Sequence, residues 1–189
     1  MEKTKKQHIL EAAALLFRDR GYSATSMRDL AEAVDLRASS LYNHIDSKQE
    51  LLKDICFANA HRFLSGIQQI EQKHDATEAR VRALLHLHIQ LATEDFTSII
   101  SFNDEWRHLE EPYLSDFRKL RKQYEDRFKL ILETGMQEGS FKTGDLTIVL
   151  YTLLSSIRWV YDWYKPGRSL QANDIAEMVA AIVLDGLKN

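Results

Sequence analysis

The stretch LRASSLYNHIDSKQELL, residues 36–52, gathers Arg37, Ser39, Ser40, Tyr42, Asn43 and His44 within eight positions. These are small groups, hydrogen-bonding groups and one aromatic, suited to meeting a polar surface rather than to making or breaking bonds. The other reactive side chains agree. Cys56 and His61 are five apart, off a shared helical face, and the chain has no glycine-rich phosphate loop, so neither a nucleophile–base pair nor a cofactor is expected. His86 and His88, two apart, diverge on a helix. Asp104 and His108, four apart, share a face, but two ligands on one helix do not make a metal site, and none is expected.

The elements that would position residues 36–52 can be traced from their caps. Thr4 with Gln7, Ser26 with Asp29, Ser47 with Glu50 and Asp75 with Glu78 each form a capping pattern before an apolar-periodic run. A first helix over about 5–19 carries Ile9, Leu10, Ala13, Leu16 and Phe17 on one face and ends at Gly21. A second, about 27–33, buries Leu30 and Ala31; Asp35 suits a left-handed turn, and a third helix over about 38–44 buries Leu41 and Ile45. Two short helices joined by so short a turn make a helix-turn-helix unit, whose second helix offers its outer face to the DNA major groove. The residues expected at DNA are Ser26, Met27, Arg28, Arg37, Ala38, Ser39, Ser40, Tyr42, Asn43, His44 and Lys48. Tyr42 and Lys48 suit phosphates, Arg28 a guanine edge or a phosphate, and Lys3, Lys5 and Lys6 a basic arm. A solvated helical hairpin is the plainer alternative. Charge does not decide, because residues 1–56 hold nine basic and nine acidic side chains and the chain has a net charge of −3.

The stretch GYSATSMRDLAEAVDLRASSLYNHIDSKQELL resembles the DNA-binding domain of TetR-type transcriptional repressors. The resemblance covers about residues 5–55 and keeps its spacing across three helices. Asp35 stands where the family has a turn glycine, and Arg37 where a Ser or Thr caps the third helix, which weakens that cap and favours a phosphate contact.

The rest of the chain reads as helices over about 47–72, 76–93, 97–109, 112–138, 145–164 and 174–187, with Pro112 in a first turn, Gly139 at an end and Pro166-Gly167 as a stop. The fold class is therefore all-α: a helix-turn-helix domain over 1–55 joined to a helical ligand-binding and dimerisation domain over 56–189. Lone Cys56 excludes an internal disulfide, and no apolar run of spanning length and no leader are evident, so a cytoplasmic protein without membrane contact is expected.

Of the 18 aromatic residues, 13 lie between Phe96 and Tyr164, which suggests a lined cavity as well as a core. Candidate ligand contacts are Phe102, Trp106, Arg107, Phe128, Tyr151, Arg158, Trp159 and Trp163, the arginines anchoring an anionic group. For Arg158 the alternative is a pair with Asp162, four residues on. The segments NDEWRHL, GMQEGSFKTGD and RWVYDWYKPGRSL are similar to a branch of the TetR family that senses acyl-coenzyme A thioesters and represses fatty-acid, steroid or aromatic-acid catabolism. The resemblance implies a homodimer built from the last two helices, a cavity for the acyl chain and release from DNA on thioester binding; a dimer of helix-turn-helix units calls for a palindromic operator. A repressor of a drug-efflux gene that takes lipophilic or cationic compounds is the runner-up, and a helical enzyme the remote third reading.

Overall fold

A computed structural model describes residues 4–164 and 170–188. Its helices are α1 (Lys5–Arg20), α2 (Met27–Ala33), α3 (Ala38–Leu41), α4 (Lys48–Lys73), α5 (Thr77–Glu94), α6 (Phe96–Asp104), a 3₁₀ turn (Trp106–His108), α7 (Tyr113–Gln137), α8 (Leu146–Trp163) and α9 (Ala172–Leu187). The all-α class is as expected. Pro166-Gly167, Lys3 and the side chain of Asp162 lie outside the described residues.

The caps explain most helix starts. Thr4 and Gln7 exchange hydrogen bonds at the head of α1, and Ser26 and Asp29 do the same at α2, so two free backbone amides are satisfied at each end. Ser47 accepts from the Glu50 amide, whereas the Glu50 carboxylate turns to the Asp46 amide. The Asp75–Glu78 box does not form: α5 starts at Thr77 with Ala76 as an uncapped flank. Gly21 (φ 84°) and Gly139 (φ 76°) take the left-handed backbone that an L side chain resists.

Three expected elements differ. The third helix is regular only over Ala38–Leu41, because Arg37 gives it no side-chain cap and Asn43 and His44 bond three residues back in turns. The helix expected over 97–109 breaks after Asp104 into the 3₁₀ turn. Pro112 stands one residue before α7 rather than in its first turn.

The chain forms two compact units, residues 1–60 with 97–119, and 61–96 with 120–189. In the first, Ile9, Ala13 and Phe17 of α1 are buried with Leu30, Ala31, Leu41, Ile45, Leu51 and Leu52. Segment 97–119 belongs to this unit, although the division at 55 read from the sequence assigns it to the C-terminal domain. It is tied in by polar bonds: Ser101 to the Ala14 carbonyl (2.9 Å), Asn59 to Ser98, and Glu105 accepting from the Tyr22 amide (3.0 Å). In the second unit α5 packs on α9 and α8. There Gly135 lets the Phe141 ring lie so close that an added Cβ would stand 2.3 Å from it.

Candidate nucleic-acid interface and effector region

The first unit builds the candidate recognition surface by burying two residues and exposing the rest. Leu41 and Ile45 are buried. Around them Arg37, Ala38, Ser39, Tyr42, Asn43 and His44 are exposed and Ser40 is half-buried. Asp35, at φ 52°, supplies the left-handed turn that aims this short helix. Tyr42 has 53% of its surface free, an outlay of aromatic area that no core contact explains.

The neighbouring positions sort themselves by partner. Arg28 is exposed and its guanidinium meets Glu32 at 2.9 Å on the same face of α2. Ser26 is occupied as the α2 cap, and Met27 is half-buried. Lys48, expected at a phosphate, is turned inward: its ammonium donates to the Tyr22 and Thr25 carbonyls (2.8 and 2.7 Å) and sits 4.1 Å from the Tyr22 ring centroid. Partial burial lowers its pKa. Lys6, expected in a basic arm, pairs with Glu50 and Asp54, whose bonds raise its pKa. Both lysines therefore brace the unit, which leaves exposed Arg37 and exposed, Glu32-paired Arg28 as the expected cationic contacts on this surface.

Residues not singled out in the sequence complete the bracing. Gln49 donates to the Tyr22 hydroxyl (2.8 Å) and the His108 carbonyl (2.7 Å) and accepts from the Glu110 amide (3.2 Å). His108 stacks on Tyr22 with centroids 5.4 Å apart and faces Glu105, so its ring is engaged in packing. No local signal marks Gln49, because its partners lie 27 and 59 residues away. Cys56 is buried, and burial pushes its thiol up to about 12, which removes it as a nucleophile at neutral pH.

The eight expected ligand contacts divide between the units. In the first, Phe102 and Trp106 both meet the buried ring of Phe117, at 5.6 and 5.7 Å between centroids, and exposed Arg107 lays its guanidinium 4.7 Å from the Trp106 centroid. In the second, Phe128 is fully buried against Tyr124 and belongs to the core. Tyr151, Arg158 and Trp159 are exposed on the outer face of α8, not inside a cavity. The reason is that α8 is apolar almost all round: Leu150, Leu153, Ile157 and Val160 point inward, while Ile148, Tyr151 and Trp159 remain outside. Trp163, half-buried, meets Trp159 edge-on at 5.3 Å. The exposed apolar face continues on α9 with Met178 and Ile182, the latter 75% exposed.

A polar cluster lies within the second unit. Fully buried His88 contacts the Tyr124 hydroxyl through Nε2 (2.7 Å) and the Tyr161 hydroxyl through Nδ1 (3.3 Å), with the Phe63 ring centroid 4.5 Å from its own. Burial drives the imidazole down to about 3 and the Tyr124 phenol well above its ordinary value. His88 is thus a neutral hydrogen-bonding bridge. Among the described residues no helix is long and apolar enough to cross a membrane.

Comparison with known proteins divides the chain in sequence, with segment 97–119 in the C-terminal match although it packs in the first unit. A family described as "Bacterial regulatory proteins, tetR family" matches residues 9–55, and "Tetracyclin repressor-like, C-terminal domain" matches residues 74–187. The transcriptional repressor KstR2 of Rhodococcus jostii (strain RHA1) is 29% identical over 188 residues, covering 97% of this chain and 91% of that one. The structure of the ketosteroid transcriptional regulator KstR2 of Mycobacterium tuberculosis superposes with a TM-score of 0.93 at 25% identity, covering 100% of this chain and 97% of that one. That of AibR in complex with isovaleryl coenzyme A and operator DNA superposes with a TM-score of 0.82 at 28% identity, covering 95% and 97% of the two chains.

Proposed function

The chain belongs to the TetR family of bacterial regulatory proteins, and on that premise we propose that it is a repressor that holds a palindromic operator as a homodimer and leaves it on binding an acyl-coenzyme A thioester. The observation that carries the DNA half is the exposed set Arg37, Ser39, Tyr42, Asn43 and His44 over buried Leu41 and Ile45. Tyr42 contacts a phosphate, and Arg28 leaves Glu32 to reach a guanine edge or a phosphate. An exposed i, i+4 ion pair is worth only about 0.3–0.5 kcal/mol, so DNA competes for Arg28 with little penalty.

The outer face of α8 and α9 supports the dimer. Ile148, Tyr151, Trp159, Met178 and Ile182 form an apolar exposure on two helices of one unit that a twofold copy would cover, and this use of Tyr151 and Trp159 replaces their reading as cavity walls.

The effector reading draws support from AibR, whose structure is in complex with isovaleryl coenzyme A and operator DNA, and the repressor reading from the KstR2 repressors. Phe102 and Trp106 offer apolar contact to the acyl part, and exposed Arg107 a cation for the coenzyme phosphates. The test is fluorescence anisotropy on the DNA flanking the protein's own gene, followed by titration with isovaleryl-, octanoyl- and benzoyl-coenzyme A, the matching free acids and a cationic dye. Release by a thioester and not by its acid supports the proposal. Release by the dye alone gives the function to the efflux reading.

A further inference from the structure

The segment that carries Phe102 and Trp106 also carries a buried side-chain nitrogen, Nδ2 of Asn103, that is shut off from solvent and has no hydrogen-bond partner among the described residues. A buried donor left without an acceptor costs its full desolvation penalty, so its retention calls for an explanation, and a partner supplied by a ligand is one.

The surroundings say what that partner is. Phe102 and Trp106 flank Asn103 in the chain, and both pack on Phe117, which Phe57 of α4 meets at 6.1 Å. Arg107, four residues past Asn103, is exposed beside the Trp106 ring. The stretch therefore presents, in close succession, apolar rings, a neutral hydrogen-bond donor and a solvent-facing cation. An acyl-coenzyme A offers a partner to each of the three: an apolar chain, a carbonyl oxygen that only accepts, and an anionic coenzyme. A carboxylate held at this shut-off nitrogen would lose its hydration for a single neutral donor, whereas a carbonyl oxygen brings no charge to desolvate.

We infer that Asn103 donates to the thioester carbonyl oxygen of the effector and is the residue by which the protein tells a thioester from other lipophilic molecules. This rests on the acyl-coenzyme A reading above and adds to it a residue and an atom.

The test uses the full chain, as wild type and as Asn103→Leu, with Asn103→Ala as a second variant should the first not fold. The probes are isovaleryl- and octanoyl-coenzyme A, each beside the thioether in which a methylene replaces the carbonyl. Calorimetric titration of the wild type is expected to favour at least one thioester over its thioether by about tenfold or more. The variants are expected to bind thioester and thioether alike, at the wild-type thioether affinity, with an unliganded melting temperature no lower than the wild type's, because an unpartnered amide has been removed. A folded variant that keeps the thioester preference overturns the inference, as does a wild type that binds thioesters without preferring them. A wild type that binds neither probe class overturns the acyl-coenzyme A reading itself, and this inference with it.

Discussion

At the scale of single residues, the proposed recognition surface separates groups that brace from groups that reach. Arg28→Ala is expected to reduce discrimination between operator and nonoperator DNA by about 1–3 kcal/mol if its exposed guanidinium reads a guanine. Tyr42→Phe is expected to weaken both kinds of complex alike, since a phosphate contact carries no sequence information. Competition anisotropy with operator and scrambled duplexes distinguishes the two patterns. Lys48→Met is expected to act on stability: its loss leaves the Tyr22 and Thr25 carbonyls without their donor, at a cost of about 1–3 kcal/mol in urea unfolding. His88 sets a pH dependence. Its folded value, about 3, lies below the ordinary 6.5, so the unfolded chain takes up a proton first as pH falls. The stability it contributes is complete above pH 6.5 and is lost progressively from there toward pH 3, at up to about 1.4 kcal/mol per pH unit. His88→Gln is expected to flatten that slope in unfolding curves taken between pH 7 and pH 4; an unchanged slope would assign the dependence to other groups.

At the scale of elements, what the sequence revealed was local and what it hid was long-range. Thr4–Gln7 and Ser26–Asp29 are boxes of four residues, and the left-handed turn at Asp35 depends on one, so α1, α2 and the turn could be read directly. The embrace of Tyr22, His108 and Glu110 by Gln49 depends on folding that brings distant segments together, and nothing in the sequence around Gln49 announces it. Helix α8 shows a different limit. Its apolar residues occupy both an inner and an outer face, and composition alone cannot tell Leu153, which is buried, from Tyr151, which is exposed. Charges at Ile148 and Ile182 therefore test the dimer without disturbing the core, whereas charges at Leu153 or Val179 would damage the buried side. The double variant Ile148→Glu, Ile182→Glu is expected to sediment as a folded monomer with operator affinity reduced at least tenfold. A folded dimer would move the interface elsewhere.

At the scale of the whole molecule, the proposed function is a linkage between two ligands of one protein. Net charge of −3 leaves the attraction to DNA to local groups, so operator affinity is expected to fall steeply between about 50 and 200 mM salt, as phosphate contacts release counterions. An effector can release DNA only if it binds the DNA-free arrangement more tightly, and thermodynamics then requires operator DNA to weaken effector binding by the same factor. The decisive measurement is the affinity of the thioester that releases DNA, determined by calorimetry with the protein free and with the protein saturated by operator. The proposed function predicts a loss of affinity on operator that equals, within error, the loss of operator affinity on saturation with that thioester. Equal thioester affinity in the two states would contradict it.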